Sequence, residues 1–316
     1  MSEKGRKMLE QAVGDVRYKL TNDYLFRAVL QKNEKALRGL IAALLGLKQE
    51  GIQQVEIQNP IVLGERIEEK TFVLDIKILL NNKTILNIEM QIADNQDWEE
   101  RSLAYLCRTF DETSKGGSYP YMKEAIHISI LDYTLFPDHP EFYAKYQMMN
   151  IKNHHVYSDK FKLYVLDLTQ AEQATAEDRE NTLYQWAKLF KAGTWEEIRM
   201  LAEKNEYIKE AAATMYDVSA EENIRLQCEA RQRYEEDRAA LFASGKRQGM
   251  QQGIQQGIQQ GILQGIEAVI YDNLEEGVAK DRILIKLEKH FQLTRKQAED
   301  YYEAVMKQAD CRKNDI

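Results

Sequence analysis

The spacing of apolar residues changes period along the chain, and each change marks a different element. Over residues 22–46, NDYLFRAVLQKNEKALRGLIAALLG, positions Phe26, Val29, Leu30, Leu37, Leu40, Ile41 and Leu44 recur at helical spacing, with Gly46 as a natural stop. The spacing predicts one bent helix or two consecutive ones. A short run, VEIQ at 55–58, ends at Asn59-Pro60 and reads as a strand. In TFVLDIKILLNNKTILNIEMQIA, residues 71–93, the period drops to two, which predicts a hairpin turning at Asn81-Asn82-Lys83. Asp97 with Glu100 three positions on predicts a capping box that opens a helix. EAIHISILD (124–132) and FKLYVLDL (161–168) predict two more buried strands. Together these imply an α/β (α+β) core over residues 18–168, with a mixed sheet flanked by helices.

Beyond that core the pattern turns charged and helical. Residues 169–243 predict helices packed on it, and 266–316 a small helical unit whose last helix is N-capped by Thr294. Between them, in residues 244–265, glycine recurs every fourth residue from Gly245 to Gly265, a period that excludes the three-residue repeat of collagen. Each glycine costs a helix about 1 kcal/mol relative to alanine, so the tract is either a flexible linker or a helix stabilised by a partner. A step of four residues drifts by only about 40° around a helix. The glycines therefore trace one slowly winding stripe, and Met250, Ile254, Ile258, Ile262 and Ile266 trace a second beside it. That strict register favours a homo-oligomer formed through 245–265.

Composition narrows the function classes. A hydrophobic content of 44% is that of a globular chain, and a formal net charge of −8 excludes a broadly basic coat for nucleic acid, so any such contact is local or assisted by a metal ion. Cys107, Cys228 and Cys311 have neither disulfide-framework nor zinc spacing. No signal-like or membrane-length apolar run is present, which predicts a cytoplasmic protein with no membrane partner.

The hairpin carries the candidate chemistry. If Leu80 pairs with Thr84, Asp75 falls opposite Glu89, and Asp75, Lys77, Glu89 and Gln91 share one face. Two facing carboxylates repel, and a cation between them reverses the sign. Carboxylate oxygens together with a backbone carbonyl such as that of Met90 are what Mg²⁺ prefers. A solvated polar face with Lys77 pairing one acid is the plainer reading. On the following helix, Trp98, Arg101, Tyr105 and Arg108 share a face and offer phosphate-binding cations, while Leu103, Leu106 and Phe110 read as the buried face. Arg101 pairing a neighbouring glutamate is the alternative there. Asp23, in the first turn of the first helix, is either a macrodipole acid or a third carboxylate of the site.

The combination of D-x(13)-E-x-Q on a hairpin, N-D-Y-L-F-R before it and E-R-S-L-A-Y after it resembles the PD-(D/E)xK nuclease superfamily. More narrowly it resembles the Rpn family of recombination-promoting nucleases, also labelled transposases. The resemblance spans about residues 18–135 and implies a restriction-endonuclease-like αβββαβ core. It also implies cleavage of DNA with Mg²⁺, for which Mn²⁺ can substitute, in recombination or in defence against foreign DNA. Asp75 and Glu89 match the motif acids that hold the metal with the Met90 carbonyl, Gln91 the position usually held by lysine, and Asp23 the acid of the first helix. Arg101, Tyr105, Arg108 and Lys77 would bind phosphate. Leu74 replaces the proline of the motif, and Gln91 replaces its lysine, for which Lys77 or Lys70 could compensate. A catalytically weak scaffold that acts through oligomerisation of its tail is the rival reading.

Overall fold

The computed structural model describes residues 3–61, 76–113 and 119–314. The chain divides into two compact units, Met1–Ala239 and Ala240–Ile316.

In the first unit, α1 (Glu3–Gln11) is followed by α2 (Asp23–Lys32) and α3 (Glu34–Leu45). The long apolar run thus forms two helices. Asn33 breaks it because its side chain accepts from the Ala36 N–H as the N-cap of α3, and Gly46 closes α3 in the left-handed region at φ 67°. Strands β1 (Val55–Ile57), β2 (Ile76–Leu80) and β3 (Thr84–Gln91) follow, then α4 (Trp98–Glu112), β4 (Glu124–Leu131), β5 (Tyr143–Gln147) and β6 (Phe161–Asp167). They form one six-stranded sheet in the order β1-β2-β3-β4-β6-β5. The β3–β4 and β4–β6 pairings are parallel, and the β1–β2, β2–β3 and β5–β6 pairings antiparallel.

The β2–β3 hairpin has the expected register, Leu80 facing Thr84 and Ile76 facing Ile88. Its turn holds Asn81 and Asn82 at φ 49° and 55°, a conformation asparagine tolerates better than most residues. The Asn81 side chain also accepts from the Gln53 and Gln54 N–H groups, which fastens the turn to the chain entering β1.

Alternation then sorts the sheet's two faces. Ile76, Ile78, Leu86, Ile88, Met90, Ile126, Ile128 and Ile130 enter a core shared with α2 and α3. Helices α5 (Ala176–Glu180), α6 (Leu183–Lys191), α7 (Trp195–Ala202) and α8 (Glu206–Ala220) follow β6, and Trp186, Phe190, Ile198 and Ala212 join the same core. The opposite face lies under α4, where Trp98 packs with Leu131, Ala144 and Val165.

Two expectations for α4 are corrected. Asp97 caps no N–H group and its carboxylate lies 3.8 Å from Arg101 Nη1, so the ion pair competes with the capping box. Nor do Leu103, Leu106 and Phe110 form the buried face. The helix docks by Trp98, Ser102, Leu106 and Thr109, and Leu103 is exposed. Ser102 and Thr109 tolerate burial because their hydroxyls donate to the Glu99 and Tyr105 carbonyls.

Helix α9 (Glu222–Glu275) starts in the first unit and continues into the second. The second unit also holds α10 (Lys280–Phe291) and α11 (Arg295–Asn314), with a small core of Ile266, Ile270, Ile283, Leu284, Leu287, Ala298 and Val305. Thr294 caps α11 as expected, its Oγ1 accepting from the Gln297 N–H at 3.3 Å.

Candidate active site

The polar alternation of β3 places Asn87, Glu89 and Gln91 beneath α4. In the parallel register Asn87 stands beside His127 and Glu89 beside Ser129. Trp98 anchors α4 over this row, its Nε1 donating to Ser129 Oγ at 3.1 Å. Asn87 Nδ2 lies 3.2 Å from His127 Nδ1. His127 is fully buried, and burial, with the nearby Arg101 charge, pushes its imidazole down to about 3, so it stays neutral.

Arg101 follows Trp98 by one turn, which stacks its guanidinium 4.3 Å from the Trp98 ring centroid. From there Nη2 donates to Gln91 Oε1 at 2.7 Å and reaches Glu89 Oε1 at 3.3 Å. Gln91 Nε2 in turn donates to the Ala93 carbonyl at 2.9 Å, so both ends of the amide are fixed. The Arg101 and Glu89 side chains are only 19% and 16% exposed, which makes their attraction stronger than that of a surface pair.

The other cations expected to bind phosphate do not converge on this pair. Lys77, on the same sheet face, is ion-paired with Glu112 at the far end of α4. Arg108 is exposed, whereas the Tyr105 ring, no cation itself, lies 6.0 Å from the Arg101 guanidinium and 5.8 Å from the His127 ring. The cation beside Glu89 and Gln91 is Arg101, rather than Lys77, and Lys70 lies outside the described residues.

Asp23 opens α2 yet is buried, unlike an ordinary first-turn acid. Arg231 of α9 pairs with it at 2.6 Å, and burial raises its carboxyl to about 6 in spite of that cation. Asp23, Met90, Gln91, Arg231 and Glu235 line one cavity of about 500 Å³. Asp75 and Leu74 lie outside the described residues. Among those that are described, no group of three or more His, Cys, Asp or Glu side chains could hold a metal ion. The donors remaining at the end of β3 are hard oxygens, which suit a cation such as Mg²⁺ or Mn²⁺ rather than a soft one. The Gln91 carbonyl accepts from the Asp132 N–H on the β4 side, so strand alternation turns the Met90 carbonyl toward the β2 edge.

Asn87, His127, Ser129, Arg231 and Glu235 were not singled out by the sequence. The first three carry a signal, since polar residues at every second position interrupt two otherwise apolar strands. Arg231 and Glu235 carry none, because a charged pair four residues apart is common on any solvated helix.

An antiparallel hairpin carrying Glu89, a helix crossing it and a parallel strand beside it define a PD-(D/E)XK nuclease fold. A family model described as PD-(D/E)XK nuclease family transposase matches residues 20–245, and the chain belongs to that family. No curated protein and no solved structure matches it. Membership makes the first unit a nuclease-like or transposase-like domain, of a kind that typically uses a divalent metal ion. No described helix is long and apolar enough to cross a membrane.

Proposed function

We propose that the chain is a DNA endonuclease that hydrolyses phosphodiester bonds at Asp75, Glu89, Gln91 and Asp23. Asp75, Glu89 and the Met90 carbonyl would hold Mg²⁺, for which Mn²⁺ can substitute. The observation that carries this reading is Arg101, fixed by Trp98 against Glu89 and Gln91. PD-(D/E)xK enzymes usually place a lysine where Gln91 stands, and that cation steadies charge on the phosphate. Arg101 supplies a permanent cation within hydrogen-bond reach of the same two side chains, and a guanidinium can grip two phosphate oxygens at once. Bound Mg²⁺ would supply an activated water and neutralise developing phosphate charge. Gln91, with both ends of its amide fixed, orients rather than deprotonates the attacking water. Conversion of supercoiled plasmid to open circles with Mg²⁺, and its loss with a chelator, tests the reading.

A second proposal concerns the glycine tract. Met250, Ile254, Ile258 and Ile262 are exposed on α9, and a Cβ added at Gly245, Gly249, Gly253, Gly257 or Gly261 would meet nothing within 4 Å. These stripes suit a second copy of the same helix, and an oligomer would present two nuclease sites to DNA. The same exposed stripe favours the rival reading, a weakly catalytic scaffold that acts through its tail, if cleavage is absent.

A further inference from the structure

The start of α9 docks on α2 through one helical stripe, with residues 221, 224, 228, 231 and 235 spaced three and four apart. Glu221, just ahead of α9, pairs with Lys32. Ile224 and Cys228 are buried in the main core, and the Cys228 carbonyl accepts from Asn22 Nδ2 at 3.0 Å. Where the stripe reaches the cavity it becomes ionic, with Arg231 and Glu235 almost fully buried.

Geometry inside this cluster is asymmetric. Arg231 directs both Nε and Nη2 to the same Asp23 oxygen, Oδ2, each at 2.6 Å. Nη2 also meets Glu235 Oε1 at 2.5 Å. The second oxygen of each acid, Asp23 Oδ1 and Glu235 Oε2, is buried and finds no hydrogen-bond donor among the described residues. One guanidinium thus faces two carboxylates, an arrangement that apolar side chains of similar size would replace without desolvation cost. A buried ionic cluster with one unmatched oxygen on each acid is a poor stabiliser of the fold and a good way to aim a carboxylate.

We infer that Arg231 is a positioning residue of the candidate site, which grips Asp23 by one carboxylate oxygen at the wall of the cavity that Gln91 also lines. The inference rests on the nuclease reading, and it brings α9 into a site otherwise built from the sheet, α2 and α4. Without Arg231, Asp23 loses the contact that orients it and the only cation paired with it among the described residues. The remaining groups that face Asp23 are fixed in kind. From α9 these are the Glu235 carboxylate and the Cys228 thiol, which burial and the Asp23 charge push up to about 12. Arg17 and Lys19 line the same cavity from the chain before α2 and Glu236 from α9, the Tyr24 N–H lies against the carboxylate from α2 itself, and Gln91, from β3, is neutral.

The test combines two measurements on the full chain. Carbon NMR follows the titration of the Asp23 carboxyl, assigned with Asp23→Asn, in the parent, Arg231→Gln and Arg231→Lys. Plasmid cleavage over a pH series gives kcat and KM for the same proteins. Arg231→Gln is expected to move the Asp23 titration and the acid limb of the cleavage profile upward by at least about one pH unit, with kcat falling at least tenfold and KM little changed. Arg231→Lys, which keeps the charge but not the two-nitrogen grip, should restore the titration and only part of kcat, and it answers the question if the glutamine variant does not fold. A folded variant whose Asp23 titration and profile match those of the parent overturns the inference, and leaves the nuclease reading standing if DNA is cut. A parent whose Asp23 titration depends on Arg231 but which cuts no DNA removes the nuclease reading and the positioning role with it, and leaves only the ion pair.

Discussion

Arg101 donates to the side-chain oxygen of Gln91 at 2.7 Å, a bond between the helix that packs on the sheet and the last residue of strand β3. The glutamine amide and the arginine guanidinium are thus held together, and the function proposed above makes that guanidinium the cation of the site. Two consequences of this arrangement, one of the buried His127 and Asp23, one of the glycine tract and one of the proposed metal ligands can be measured.

Arg101→Ala should lower Mg²⁺-dependent cleavage by about 10²-fold or more, the usual size for loss of one electrostatic donor at a reacting centre. Arg101→Lys should keep a substantial part of the activity. Steady-state cleavage of a labelled duplex separates the two, and an alanine variant as fast as the parent would remove Arg101 from the site.

Gln91→Lys alone should be harmful. It sets a second cation against Arg101 in a part-buried site and removes the oxygen that Arg101 holds. The double variant Gln91→Lys with Arg101→Gln returns the cation to the strand and should recover both folding stability and cleavage. A thermal melt and a nicking assay on the three proteins read this out, and a single variant more active than the double would contradict it.

His127 and Asp23 push acid stability in opposite directions. Burial lowers the folded pKa of His127 to about 3, below its unfolded value, so its contribution is fully present above about pH 6.5 and is lost as pH falls toward 3. Asp23 is raised to about 6, so its carboxyl binds protons in the folded state first, and stability from this group falls as pH rises from about 4 to 6. Each slope is at most roughly 1.4 kcal/mol per pH unit. His127→Gln should therefore flatten the loss of stability on acidification, and Asp23→Asn should steepen it. Urea midpoints at pH 5 and pH 7 give the sign directly.

The core was legible because it rests on local spacing. Gly46 ended α3, the asparagine-rich turn fixed the register of β2 and β3, and alternation named the isoleucines that fill the core. Strand β5 was missed, because its edge position leaves Lys145, Tyr146 and Gln147 exposed and the alternation unfinished. On α4, Ser102 and Thr109 hid the buried face, since a hydroxyl satisfied by its own helix looks like a surface residue. At the site, Glu89, Gln91 and Arg101 could be chosen from their spacing and are found together. The partnership of Asp23 with Arg231 spans 208 residues and depends on how α9 docks, which no local pattern records.

The glycine tract makes a prediction with opposed signs. Nothing within 4 Å hinders a methyl group at Gly253 or Gly257, so in an isolated helix the double alanine variant should raise helix stability by about 1 kcal/mol per site. If the glycine stripe is where two copies approach, the same change should weaken association. Sedimentation of that variant, and of a chain ending at Ala243, is expected to show smaller species than the parent, whereas unchanged species in both would rule out the tract as the contact.

The measurement closest to the central proposal is plasmid nicking by the parent, Asp75→Asn and Glu89→Gln, with Mg²⁺ and with chelator. These substitutions keep shape and remove charge, so folding should be preserved while the metal loses its anionic ligands. Mg²⁺-dependent nicking by the parent alone is the predicted result. Equal nicking by all three proteins, or none by a folded parent with either Mg²⁺ or Mn²⁺, would contradict it.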